Sequence, residues 1–164
     1  MTETVPQPAM RLPEELVSSP LFLLKKLGWK AKDASAEAYE QFGLHPYHHA
    51  ILSVLDEGSV ATQGAIAETL GYDKGQLVGL LDELELDGYI ERRRDQADRR
   101  RQTVEITASG RKALGQLRRL AARLEDEFLA ELSAEDRREL HTLLLRLGRQ
   151  HMPQCRVAAP PEQP

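Results

Sequence analysis

Apolar residues recur at steps of three and four along six stretches of the chain, and this spacing gathers them on one face of a helix. In the first stretch Leu24, Leu27 and Ala31 follow this rule, with lysines and glutamates between them. In the last stretch the leucines between residues 140 and 147 do the same, after a capping sequence that begins at Ser133. The predicted helices cover residues 20–43, 46–56, 62–70, 74–87, 108–131 and a final stretch after residue 133.

The third and fourth predicted helices are joined by a very short connection. Gly71 follows Leu70 at the point where the chain must double back, and glycine readily adopts the left-handed conformation that such a turn needs. Asp73 is a suitable N-cap for the second helix of the pair, as Thr62 is for the first. Two helices around a tight glycine turn, the second one longer, predict a helix-turn-helix.

The period of the pattern changes after Gly88. Tyr89–Ile90 opens an extended run, and polar and apolar residues alternate from 103 to 107, which predicts a two-stranded hairpin. The predicted fold class is therefore mainly α with a small β-hairpin wing. Six arginines surround the tip of this hairpin: Arg92, Arg93, Arg94, Arg99, Arg100 and Arg101.

This hairpin is a basic exception in an acidic chain, whose formal net charge is −4. Positive charge on a hairpin beside a helix-turn-helix is how proteins hold a phosphate backbone, so the pattern predicts binding to double-stranded DNA. One alternative is a solvated hairpin whose arginines form surface ion pairs with Asp95 and Asp98. Another is a winged-helix adaptor that binds an acidic protein partner without specific DNA binding.

The composition, 41% hydrophobic and 29% charged residues, is ordinary for a globular protein. No apolar run approaches the roughly 20 residues of a membrane span, and the N-terminus lacks the features of a signal peptide, so a cytoplasmic location without membrane contact is expected. Cys155 is the single cysteine and can form no internal disulfide, while a redox role for it stays open. No phosphate loop, nucleophile elbow or paired-carboxylate pattern indicates an enzyme, and no cofactor is predicted.

The domain organisation follows from the apolar faces. Helices in residues 20–45 and 108–150 carry more apolar surface than one helix-turn-helix can cover, which predicts a dimerisation region, with the winged helix-turn-helix at 46–107. A twofold dimer would present two recognition helices roughly 34–36 Å apart, one turn of DNA. The alternative is that these helices pack as a bundle within one chain. The proline-rich ends, 1–19 and 151–164, are expected to be flexible tails.

Three motifs in this order resemble the MarR family of bacterial transcriptional regulators, over residues 20–150. They are IAETLG at 66–71, LELDGYI at 84–90 and DRRRQTVEIT at 98–107, the last matching the family's Asp-x-Arg, five residues, Leu-Thr. The resemblance implies a winged-helix homodimer, usually a repressor, often released from DNA by a small anionic or phenolic ligand. The chain departs from the family at Val78-Gly79, where a threonine and an arginine are common.

The wing residues are the first predicted DNA contacts. Arg100 stands at the family's wing position and is expected in the minor groove, whose narrow A·T-rich form attracts a guanidinium. Asp98 is expected to position it, since a carboxylate would repel phosphates. Arg99 and Arg101 are expected to reach phosphates, which adds affinity but little sequence choice.

The fourth predicted helix is the recognition helix by position. Gln76 could pair with adenine, and Lys74 with a phosphate or a guanine. Gly75 and Gly79 either allow a close approach of the helix backbone to DNA or indicate weak base reading, with specificity carried by DNA shape. The acidic C-terminal half of the helix is expected to face away from phosphates. Thr62 and Gln63 are lesser candidates for backbone contact.

An aromatic wall with a few polar groups would suit a small aromatic or anionic effector. The predicted set is Trp29, Tyr39, Phe42, Tyr47, His48 and His49. Trp29 and Phe42 are also expected as core residues, because large aromatics on helices usually fill space. His48 and His49 point to different faces of a helix and have no cysteine or carboxylate at metal spacing, so no metal site is predicted.

Overall fold

The computed structural model describes residues 11–58, 62–94 and 102–152. The six predicted helices and the hairpin are all present there, which confirms the fold class, mainly α with a small β-hairpin wing. The elements are α1 (Glu14–Val17), α2 (Pro20–Glu40), α3 (Pro46–Asp56), α4 (Gln63–Leu70), α5 (Lys74–Leu86), β1 (Ile90–Arg94), β2 (Gln102–Ile106), α6 (Ala108–Phe128) and α7 (Ala134–His151).

Differences from the prediction lie at the ends of elements. The short helix α1 falls within residues 1–19, which the sequence analysis treats as a flexible tail, and α2 and α6 each end three residues earlier than predicted. The rest of the two predicted tails, residues 1–10 and 153–164 with Cys155, lies outside the described residues.

Local capping explains where the helices begin. Thr62 accepts a hydrogen bond from the backbone N–H of Ala65 at 3.2 Å, and Asp73 accepts one from Gly75 at 2.8 Å and one from Gln76 at 3.2 Å. These bonds satisfy N–H groups that the first turn of a helix leaves without a partner. Between α4 and α5 the left-handed turn at Gly71 has φ +67°, so the helix-turn-helix is built as the sequence predicts.

The core lies beneath the helix-turn-helix and the hairpin. The side chains of α5 at Leu77, Leu81 and Leu84 are fully buried, and the antiparallel strands β1 and β2 contribute Ile90 and Val104. Further fully buried residues come from α3, α4 and α6: Ile51, Leu52, Ile66, Leu114 and Leu117. The recognition helix and the hairpin are thus held on one packed base, which fixes their relative orientation.

The start of α6 touches the hairpin at Gly110. Thr107 donates its hydroxyl hydrogen to the carbonyl of Gly88 at 2.7 Å and accepts from the N–H of Gly110 at 3.0 Å. A Cβ placed on Gly110 would overlap the carbonyl oxygen of Tyr89 and lie 2.8 Å from Cγ1 of Ile106. Glycine is therefore required here by a close backbone approach rather than by a special φ angle.

The apolar faces of α2 and α7 are open in the single chain. Leu24 and Leu27 of α2 are exposed, as are Leu143, Leu144 and Leu147 of α7. Gly148 is the only buried residue of α7, so the single chain leaves the apolar face of this helix largely uncovered.

Two core predictions are wrong for the single chain. Trp29 is 53% exposed and Phe42 is 43% exposed. Trp29 lies under the ammonium groups of Lys25 and Lys26, at 5.0 and 5.1 Å from its ring centre. Trp29 lies outside the stripe of Leu24, Leu27 and Ala31, and Phe42 follows the end of α2, so neither packs on the core of the protomer.

Candidate nucleic-acid interface

The N-terminal half of α5 offers an open surface. Lys74, Gly75, Gln76 and Gly79, the predicted contacts on the recognition helix, are all exposed. A Cβ placed on Gly79 would meet nothing within 4 Å, so no neighbouring part of the described chain requires a glycine there. The structure therefore brings these four residues together on the solvent side of the helix.

Thr62 and Gln63 at the start of α4 are half-buried. The Thr62 hydroxyl oxygen is used as the helix cap, as described above. The hydrogen of this hydroxyl can still be donated outward, so Thr62 keeps one donor for a backbone phosphate.

Val78 is a candidate that the sequence analysis missed. Its side chain is 40% exposed, although valine is apolar and four of the five leucines of α5 are buried. On the helical projection it follows Lys74 by one turn and lies beside Gly75 and Gly79, on the side turned to solvent. The signal was available in the sequence, because Val78 falls outside the Leu77–Leu84 stripe.

Arg92 has a role different from the one that its place among the wing arginines suggested. Its side chain is only 18% exposed, and Nη1 lies 2.6 Å from Oδ1 of Asp82 and 3.4 Å from Oε2 of Glu85. Its backbone N–H also donates to Oε1 of Glu85 at 3.1 Å. Arg92 therefore ties β1 of the wing to the recognition helix. The sequence prediction, which counted it as a cation around the hairpin tip, is corrected here.

Arg93 is also paired, with Glu91 at 3.0 Å and Glu105 at 3.7 Å. These carboxylates raise the pKa of Arg93. Acidic residues outside the turn therefore pair with two of the six arginines, Arg92 and Arg93. The excess of positive charge around the tip is smaller than the sequence predicted. The described residues do not include the other predicted wing contacts, Asp98, Arg99, Arg100 and Arg101, nor Asp95.

The loss of Arg92 should loosen the wing. We expect Arg92→Ala to lower the free energy of unfolding by about 1–2 kcal/mol, because Asp82 and Glu85 lose a charge-assisted partner that is mostly shielded from water. Arg93→Ala is the matched control and should leave the urea midpoint unchanged, since its side chain is 62% exposed and its ion pairs are screened. Equal midpoints for the two variants would contradict a tie between β1 and α5.

Three acidic side chains in the C-terminal half of α5 have partners within the protein. Asp82 and Glu85 face Arg92, and Oε2 of Glu83 lies 2.9 Å from Nε2 of His48. The Arg92 guanidinium offsets part of the negative charge of Asp82 and Glu85.

His48 is buried at the start of α3. Its Nδ1 accepts a hydrogen bond from the backbone N–H of His45 at 3.2 Å, so in the neutral ring the hydrogen is on Nε2, facing Glu83. The Nε2–Oε2 distance of 2.9 Å is short, but the angle does not make a good hydrogen bond. Burial lowers the pKa of His48, while the Glu83 carboxylate opposes that shift in part. The ring is therefore neutral near pH 7 and completes the capping of α3.

His49 lies on the other side of α3, as predicted. Its Nδ1 is 2.6 Å from the hydroxyl of Tyr39. Burial lowers the pKa of His49, with the nearby Arg118 adding to the shift, and burial raises the pKa of Tyr39. Burial therefore favours the neutral form of both groups, which a hydrogen bond joins between the Tyr39 hydroxyl and Nδ1 of His49. Among the described residues no three metal-ligating side chains come together.

The six residues predicted for an effector do not form one wall. Tyr39 and His49 are in contact, Tyr47 packs on Tyr72 with ring centres 5.1 Å apart, and His48 faces the recognition helix. The structure instead shows an apolar groove of 450 Å³ between α2, α6 and α7, which Tyr39 reaches and the other five do not. Its lining includes Leu24, Leu27, Leu124, Phe128 and Leu144, with Ser35 and Glu125 as polar groups.

Comparison with known proteins identifies the family. The MarR family pattern matches residues 42–101, from the turn before α3 into the wing. A protein of Thauera aromatica named as a transcriptional regulatory protein for the hcr operon is 30% identical over 133 residues, which cover 76% of this chain and 80% of that protein. This chain belongs to the MarR family of transcriptional regulators.

Solved structures share the winged-helix fold of this MarR-family chain. The transcriptional repressor CouR bound to a 23-mer DNA duplex is 28% identical, with a TM-score of 0.77 over 85% of this chain and 99% of that one. CouR of Rhodococcus jostii RHA1 bound to p-coumaroyl-CoA is 25% identical, with a TM-score of 0.68 over 82% of this chain and 95% of that one. By their names these relatives are transcriptional regulators and not enzymes. No helix in the described ranges is long and apolar enough to cross a bilayer.

Proposed function

We propose that this MarR-family chain is a homodimeric repressor that binds pseudo-palindromic duplex DNA and leaves it when a small effector binds. The observation that carries the proposal is the division of α5 into two halves. Its N-terminal half is open and carries Lys74 and Gln76, whereas the acids of its C-terminal half face Arg92 and His48. A helix so divided can enter the major groove by its N-terminal end without repelling phosphates.

The dimer is supported by the exposed apolar faces. Leucines of α2 and α7 line a groove that one chain leaves open, and apolar surface of this extent is typical of an interface. A twofold axis through these helices would place the two copies of α5 on the same side of the assembly, as a palindromic site requires.

The wing is proposed to add the second set of contacts. Arg100 would enter the minor groove with Asp98 positioning it, and Arg99 and Arg101 would hold phosphates. The tie from Arg92 to Asp82 supports this, because it holds the base of the wing at a fixed angle to the recognition helix.

Replacing Arg100 with alanine tests this placement. We expect the affinity for a selected duplex to fall about tenfold and the slope of log affinity against log salt to become shallower by about 0.9, because one cation no longer displaces a counterion. Fluorescence anisotropy from low to moderate salt gives both quantities. Arg138→Ala, an exposed residue of α7, is the control with the same charge change and should keep both values.

A pool of random duplexes, selected for binding, tests the proposal as a whole. Recovery of sites with two inverted halves about one helical turn apart would support a dimeric repressor. If the intact protein retards no duplex at low salt, the adaptor alternative replaces it, and the wing would then be tested against acidic peptides.

The effector is proposed to be a small aromatic molecule held between the dimerisation helices and the winged domain. Support comes from the Tyr39–His49 pair, which joins α2 to α3 of the winged domain and offers polar atoms where the apolar groove reaches Tyr39. The neighbour CouR binds an aromatic acyl compound in its solved complex. Release of labelled duplex by aromatic acids and their thioesters would reveal such an effector.

A further inference from the structure

Val78 is placed on the recognition helix where neither the core nor helix formation explains it. The buried side of α5 is filled by Leu77, Leu80, Leu81 and Leu84, and Val78 is 40% exposed. A β-branched residue also forms a helix less readily than alanine does, so a valine in solvent weakens this segment slightly.

The surroundings of Val78 leave it the most prominent apolar group on the open half of α5. Gly75 precedes it by three residues and Gly79 follows it directly, and neither has a side chain that could stand in front of it. Space beyond Gly79 is empty to at least 4 Å. Its own carbonyl lies 3.5 Å from Nη2 of Arg92, so the arginine approaches the Val78 backbone and leaves the side chain open.

The chemistry of the major groove offers one apolar partner for such a side chain. Thymine presents its C5-methyl group there, while the other base edges present hydrogen-bond donors and acceptors. A flat, glycine-lined helix surface lets the two valine methyl groups approach this methyl group closely. A hydrogen-bonding side chain such as that of Gln76 would instead require a donor or an acceptor on a base edge.

We propose that Val78 reads the C5-methyl group of a thymine in each half-site of the bound DNA. This inference rests on the proposed function, because it assumes that α5 enters the major groove. It makes Val78 a specificity-determining residue at the position where the resemblance marks a departure from the family's threonine.

Exchange of thymine for deoxyuridine tests the inference, since it removes the methyl group and leaves base pairing intact. In a duplex selected for binding, each dT of both half-sites is replaced in turn by dU, and dissociation constants are measured by anisotropy. One symmetric replacement should weaken binding by the wild-type protein about 16-fold, from roughly fourfold in each of the two half-sites for one buried methyl group. Val78→Ala should bind the dT and dU forms of that duplex equally.

The control variant is Leu86→Ala, which removes an exposed apolar side chain from the other end of α5 and should keep the wild-type dT/dU ratio. Val78→Ala should remain folded, because alanine favours a helix, and circular dichroism checks this. Indifference of the wild-type protein to every dU replacement, or an unchanged dT/dU ratio in Val78→Ala, would overturn the inference while DNA binding itself stands. Failure to bind any duplex would overturn the inference together with the proposed function.

Discussion

Gly110→Ala is expected to lower the free energy of unfolding by about 3 kcal/mol, because an added methyl group has no space at this position. The new Cβ would overlap the carbonyl oxygen of Tyr89 and press on Cγ1 of Ile106. Both belong to the base of the hairpin, and a carbonyl cannot move aside as the end of a flexible side chain can. Relief would require α6 to shift away from the wing, which would also break the bonds of the Thr107 cap.

Urea denaturation at one fixed protein concentration measures this effect, since unfolding of an oligomer depends on concentration. Gly115→Ala is the matched control on the same helix. A Cβ at Gly115 would meet only Nη1 of Arg119, at 3.8 Å, so this variant should gain about 0.5–1 kcal/mol from helix propensity. If both variants were equally stable, the close contact between α6 and the hairpin would be wrong.

Leu27→Asp is expected to separate the proposed dimer while each protomer stays folded. Leu27 is 54% exposed in the single chain and lines the apolar groove, so an aspartate costs little in a protomer but would be buried in the interface. Twofold symmetry places two such charges in one dimer, and we expect the dimer dissociation constant to rise at least about 100-fold. DNA affinity should fall with it, because a single protomer reaches one half-site.

Sedimentation velocity at micromolar concentration distinguishes monomer from dimer. Leu86→Asp is the control, because Leu86 is 88% exposed on the last turn of α5, away from α2, α6 and α7, and receives the same substitution. It should sediment as the wild type does. A wild-type protein that is monomeric at this concentration would contradict the proposed dimer outright.

How far the sequence predicted this protein depends on the range of the interactions involved. Helix starts at Thr62, Asp73, Thr107 and Ser133 were predictable, because a capping side chain bonds to backbone only two or three residues away. The turn at Gly71 was predictable for the same reason. Periodicity likewise predicted the buried leucines of α5, since the spacing of a helix is a local property.

Contacts between distant segments were not predictable in this way. Arg92 looked like one more cation of a basic hairpin, and only the packing of β1 on α5 places it beside Asp82 and Glu85. His48 and Glu83 likewise meet through the packing of α3 on α5. Trp29 and Phe42 show the opposite error: their apolar character was read as burial, but the fold leaves both side chains exposed in the single chain.

The sequence by itself therefore determined the elements, their order and the winged-helix class, because capping, turns and periodicity act over a few residues. Tertiary structure decided which charges on the wing are paired and which apolar faces stay open. These outcomes depend on which segments meet in space, and spacing along a chain does not specify the partner across a packed interface.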